Sequence, residues 1–168
     1  HLTPASAGLV MTTGPLVAAL VGVPAGRGVD RFGVPRVLLA GLAAMAAGVV
    51  GLALVPLSAG IPAYVAPLVV TTAGFAVFQA ANNTGVVGLA DTSQRGVVSG
   101  LLTLSRNLGL ITGASVMAAL YAFGSGTRDH AVPGASAVTA GAHAAFGAAA
   151  VLIAAALMLA LRQRRVSP

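Results

Sequence analysis

The sequence predicts an all-α integral membrane protein of five transmembrane helices, and three observations lead there. Hydrophobic residues make up 57% of the chain and charged residues only 7%, too few ionic groups to keep a compact globule in water. Five separate stretches each approach or exceed the roughly 20 apolar residues that cross a hydrocarbon core of about 30 Å. The period-two alternation of a membrane β-barrel is missing, whereas the abundance of Ala and Gly suits helices whose backbones approach closely.

The predicted helices run over Leu2–Ala25, Val37–Leu57, Pro62–Ala90, Val97–Phe123 and Val138–Leu161, with a tail from Arg162 to Pro168. In the first, Gly8, Pro15 and Gly22 fall on one face, and Gly14-Pro15 is expected to kink the helix near its middle. The second carries Gly41, Ala44, Gly48 and Gly51 along a single stripe, an invitation to a neighbouring backbone. The third holds three amides, Gln79, Asn82 and Asn83, within an otherwise apolar run. The fourth has two small-xxx-small pairs, Gly96 with Gly100 and Gly109 with Gly113, on roughly opposite faces. That spacing predicts a helix wedged between two neighbours. The fifth is almost wholly aliphatic and ends in Arg162, Arg164 and Arg165.

Charge orients the chain. Arginine supplies every Lys/Arg cation, and nearly all of them cluster between apolar runs. With the Gly26–Arg36 connection in the cytoplasm, the inner side carries Arg27, Arg31, Arg36, Arg95, Arg162, Arg164 and Arg165, and the outer side only Arg128. The N-terminus of this stretch is therefore expected outside and the C-terminus in the cytoplasm. The net charge of +6 is accounted for by the membrane surface and calls for no nucleic-acid partner. His1 follows neither a charged n-region nor a cleavage site, so the chain reads as a fragment that starts within or just before a helix. The lack of cysteine removes disulfides and thiolate metal sites from consideration.

The connection from Gly26 to Arg36 reads G-R-G-V-D-R-F-G-V-P-R, with Gly26, Asp30, Arg31 and Gly33 in the pattern G-x-x-x-D-R-x-G. Glycines permit a sharp turn, arginines hold the turn inside, and an aspartate can organise them and cap a nearby helix start. The pattern resembles the loop signature of the major facilitator superfamily of transporters. Val34 and Pro35 stand where that family has further basic residues, Arg36 follows one place later, and Gly28 replaces an aliphatic residue. Further along, Arg95–Gly100 reads R-G-x-x-S-G and Ser105–Gly113 reads S-R-x-L-G-x-x-x-G, which looks like the penultimate helix of bacterial drug:proton antiporters of the twelve- or fourteen-helix type. The resemblance implies that residues 1–168 are a partial transporter domain, the last five helices of the C-terminal bundle. It implies a missing N-terminal half as partner, residence in a bacterial inner membrane, and a gating role for Asp30, Arg31 and Arg36. It also implies proton-coupled efflux of drugs or other hydrophobic or cationic small molecules by alternating access. Carriers of sugars, organic acids or amino acids, and a membrane scaffold without transport activity, are the alternatives.

Arg106 is the one ionisable side chain deep within a predicted helix, where an arginine is costly unless it faces a polar cavity. Gln79, Asn82, Asn83 and Asn107 are candidate company in a substrate cavity, with Ser105 and Thr103 beside them. There is no Glu, and Asp30, Asp91 and Asp129 sit in or beside connections, so a proton-coupling carboxylate would have to lie in the missing half. No residue cluster suits a metal, a cofactor or a nucleophile with its base, and the chain does not read as an enzyme.

Overall fold

The computed structural model describes residues 4–56, 60–125 and 135–166, and within them the chain is five helices. They are α1 (Pro4–Phe32), α2 (Val34–Leu54), α3 (Gly60–Gly88), α4 (Arg95–Ser125) and α5 (Ala135–Val166). The stretches Val34–Leu54, Pro62–Gly88, Arg95–Ser125 and Ala137–Arg162 are long and apolar enough to span a bilayer. α1 is of similar length, but its last turns carry Arg27, Asp30 and Arg31.

The first connection is shorter than the sequence suggests. α1 continues through Phe32 and α2 begins at Val34, so of the residues from Gly26 to Arg36 only Gly33 lies outside a helix. Gly33 adopts φ 81° and ψ 155°, backbone that an L side chain rarely takes, while its N–H still donates to the Val29 carbonyl at 2.9 Å. Pro35 sits in the first turn of α2, where a missing N–H breaks no helical hydrogen bond. Gly26 and Gly28, expected to turn, are helical. At Gly28 an added Cβ would make only ordinary contact, 3.9 Å from a Val37 methyl. α5 likewise continues past its expected end at Leu161 to Val166, and arginines suit a helix C-terminus. α1 passes through Pro15 and Pro24 as one helix.

The tightest packing is between α2 and α3, which run antiparallel. The small-residue stripe on α2 meets α3 as its spacing predicts: a Cβ on Gly41 would fall 2.5 Å from the Phe78 nitrogen, and one on Gly74 2.6 Å from the Met45 nitrogen. A Cβ on Gly48 would strike the hydroxyl oxygen and backbone nitrogen of Thr71. With no side chain between them, the two backbones gain dispersion contacts that lipid cannot replace. At the end of the bundle that carries Gly33, Val29, Val37 and Ala81 form a buried apolar cluster flanked by Val34, Leu38 and Val77. Hydroxyls along the helices are satisfied internally, as where Thr71 donates to the Pro67 carbonyl and Thr112 to that of Leu108.

α4 departs from expectation. Among the described residues nothing comes within 4 Å of a Cβ placed on Gly96, Gly100, Gly109 or Gly113, so these glycines do not wedge α4 between two described neighbours. Its close seam with α5 is instead at Gly124 and Gly141, where added Cβ atoms would meet the Ala144 Cβ at 2.8 Å and the Tyr121 carbonyl oxygen at 2.7 Å. Gly8 and Gly22 on α1 are open in the same way. Arg128, Asp129, His130 and His1 lie outside the described residues.

Candidate functional site

α3 presents two different faces, and the glycines on α2 decide which is which. Pro67, Thr71 and Gly74 lie against α2, and Gly85 against Val34, spaced so that one stripe of α3 is committed to packing. Phe75, Phe78, Gln79 and Asn82, at i, i+3, i+4 and i+7, form an adjoining stripe that looks toward α4, with Phe78 on the border because its backbone also lies against Gly41. Across from it Ser99, Leu102, Thr103 and Arg106 repeat the same spacing on α4. Because α4 packs mainly on α5 and only lightly on α3, the two stripes stay apart and enclose an open cleft of about 370 Å³. That is the size of a small-molecule pocket.

Four of the five residues proposed for a cavity, Gln79, Asn82, Asn83 and Arg106, line this cleft together with Thr103 and Ser105. Asn107 does not; it is exposed and turned away, one residue round the helix from Arg106. Phe75, Phe78, Val87, Ser99 and Leu102 complete the wall. Sequence reasoning passed over them as ordinary membrane-helix residues, although for all but Val87 the i, i+3, i+4, i+7 register with Asn82 and with Arg106 is the signal that would have found them. Arg106 stands eleven residues beyond Arg95, or about 16 Å along the helix axis, near half the depth of a bilayer core.

The polar groups of the cleft are unspent. Among the described residues no hydrogen bond or ion pair engages Gln79, Asn82, Asn83 or Arg106. Thr103 differs, since its hydroxyl donates to the Ser99 carbonyl at 3.0 Å. No described buried side-chain nitrogen or oxygen lacks a partner, so the unpaired groups face open space rather than a dry interior.

At the Gly33 end, Asp30, Arg31 and Arg36 are exposed, while Gly26 and Gly33 are half-buried. The Arg31 guanidinium lies over the Phe32 ring, 5.3 Å from its centroid. Asp30 neither pairs with an arginine among the described residues nor caps α2, whose first turn has no side-chain cap. Among the described residues Asp30 therefore organises neither the arginines nor the start of α2.

The chain matches the Major Facilitator Superfamily over residues 1–168. It belongs to that superfamily. Relatives include the Uncharacterized transporter YebQ of Escherichia coli (strain K12), 33% identical over 111 residues that make up 66% of this chain and 24% of YebQ. The Riboflavin transporter RibZ of Clostridioides difficile (strain 630) is 28% identical over 122 residues, 73% of this chain and 27% of RibZ. No solved structure matches. The matched part of this superfamily member thus spans about a quarter of the length of either relative. Membership and the membrane-length helices together make this a multi-pass membrane protein of a transporter superfamily.

Proposed function

We propose that this superfamily member forms the last five helices of a secondary transporter, and that the α3–α4 cleft is its share of the solute path. The observation that carries this reading is that the amides and Arg106 meet in one cleft and engage no partner within it. A scaffold helix pair would spend such groups on each other, because an unsatisfied polar group in a dry interface costs about 1–3 kcal/mol. The aromatic walls supplied by Phe75 and Phe78 suit small ring-bearing hydrophobic solutes. In this proposal the N-terminal half closes the cleft from the other side and supplies the carboxylate for proton coupling, the direction is efflux, and the setting is a bacterial inner membrane. Inward carriage of a ring-bearing nutrient is the second reading, favoured by the similarity to a riboflavin transporter.

Gln79→Leu and Asn82→Leu test the path. In the full-length transporter each is expected to lower the transport rate about tenfold or more while leaving thermal stability in detergent within about 0.5 kcal/mol of wild type, as for a site free of internal partners. Unchanged transport in both would remove the cleft from the path.

The proposed orientation places Val34 and Thr92 inside and Thr127 outside. These 168 residues contain no cysteine, so each introduced cysteine is the single thiol of this stretch. In intact cells an impermeant thiol reagent is expected to label a cysteine at Thr127 and to spare those at Val34 and Thr92. Labelling at Val34 from outside would invert the topology. Ser125 is a poor reporter, being only 8% exposed at the end of α4.

A further inference from the structure

We propose that the α3–α4 cleft selects ring-bearing solutes that carry a negative group, a carboxylate or a phosphate, and that Arg106 holds that group. The inference rests on the reading of the cleft as part of the solute path and adds the charge of what passes.

Among the described residues that line the cleft, Arg106 is the only ionisable one and none is acidic. The chain has only three acids. Asp30 and Asp91 stand at helix ends, and Asp129 lies outside the described residues. The guanidinium therefore faces the cleft with its charge unneutralised by any described residue. At about 16 Å from Arg95 along α4, a bare cation is costly in a membrane unless something anionic or strongly hydrated meets it. A carboxylate or phosphate is the group that matches the planar fork of an arginine with two parallel hydrogen bonds.

The rest of the wall fixes what must accompany that charge. Phe75 and Phe78 offer ring surface. Gln79 and Asn82, one turn apart on the same face, each present both a donor and an acceptor to the edge of a flat molecule. An organic cation of the same shape would find the same rings and amides, but would meet a like charge with no counter-charge on this wall. The cleft thus discriminates by sign, while ring and amide contacts are common to solutes of either charge.

The experiment compares three probes that share one ring system: 2-naphthoate, 2-naphthylmethanol and 2-naphthylmethylammonium. Their binding to the full-length transporter in nanodiscs is measured by calorimetry. Wild type is expected to bind naphthoate about tenfold or more tightly than the ammonium probe. Arg106→Gln is expected to erase that preference while leaving the alcohol within about twofold, and Arg106→Lys, which keeps the charge but not the fork, to retain part of it. Thermal stability of each variant in detergent separates lost binding from lost fold, and the lysine variant carries the test if the glutamine variant does not fold. Ammonium binding as tight as naphthoate in wild type, an unaltered preference in the arginine variants, or no binding of any probe would each overturn the proposal. Asn82→Leu distinguishes the two levels: if it weakens all three probes alike while the sign preference is absent, the cleft stays in the solute path and only its charge selectivity is wrong. If Asn82→Leu and Gln79→Leu leave every probe unaffected, the path reading fails with it.

Discussion

Gly48→Leu is expected to leave little folded transporter in the membrane. The first atom of the new side chain would already collide with the Thr71 hydroxyl, and would lie 2.6 Å from the Thr71 nitrogen and 2.9 Å from the Pro67 carbonyl oxygen. Two of those three neighbours are backbone, so no rotamer change relieves the clash and α2 and α3 must separate. Overpacking a core costs about 1–3 kcal/mol when side chains can yield, and this substitution belongs at or beyond the top of that range. Separation would also forfeit the contacts at Gly41 and Gly74 along the same seam, since the helices move as rigid bodies. Gly147→Ala is the control, because nothing lies within 4 Å of its added Cβ. Its effect should fall within about 0.5 kcal/mol or be a slight gain, as alanine is the better helix former. Thermal unfolding in detergent, read by size-exclusion profile, checks both. Equal stability of Gly48→Leu and wild type would mean that α2 and α3 do not meet at this seam.

Asp30→Asn in the full-length transporter is expected to reduce transport by about tenfold or more with no loss of stability, the factor that about 1.4 kcal/mol on one equilibrium supplies. The two halves of that statement have separate causes. Asp30 is exposed, forms no ion pair among the described residues, and sits in the last turn of α1. A carboxylate there is at the unfavourable end of the helix dipole, which costs a few tenths of a kcal/mol up to about 1. Removing the charge should leave the fold unharmed or slightly more stable. The proposed use of this charge is a contact with the N-terminal half that holds one state of the gate. Transport equal to wild type would reduce the motif to a topological signal. A clear fall in stability would mean that Asp30 is bonded within its own half.

Hydropathy read along the chain is enough to count the helices, because membrane insertion depends on the length and apolarity of each segment by itself. The seam on α2 was legible for a related reason: Gly41, Gly48 and Gly51 share a helical face, and close approach is what glycines in membrane helices permit. The Gly26–Arg36 connection was misjudged in extent, because local glycine content signals a turn while packing of Val29 and Val37 against Ala81 keeps α1 helical to Phe32. The α4 pairs show the opposite limit. Gly96, Gly100, Gly109 and Gly113 are glycines at helical spacing much as on α2, yet among the described residues nothing lies within 4 Å of a Cβ on any of them, whereas Gly124 and Gly141, which the spacing did not single out, pack tightly. A spacing says which residues share a face, and it is silent on whether a neighbour occupies that face. The cleft followed the same division. Sequence named Gln79, Asn82, Asn83 and Arg106 because polar atoms in an apolar segment are costly wherever they point. That Asn107 stays out followed from the rotation of α4, and that the others converge and that Phe75 and Phe78 join them depended on the rotation of α3 about its axis. That rotation is set by backbone contact at Gly41, Gly48 and Gly74, between residues distant in the chain.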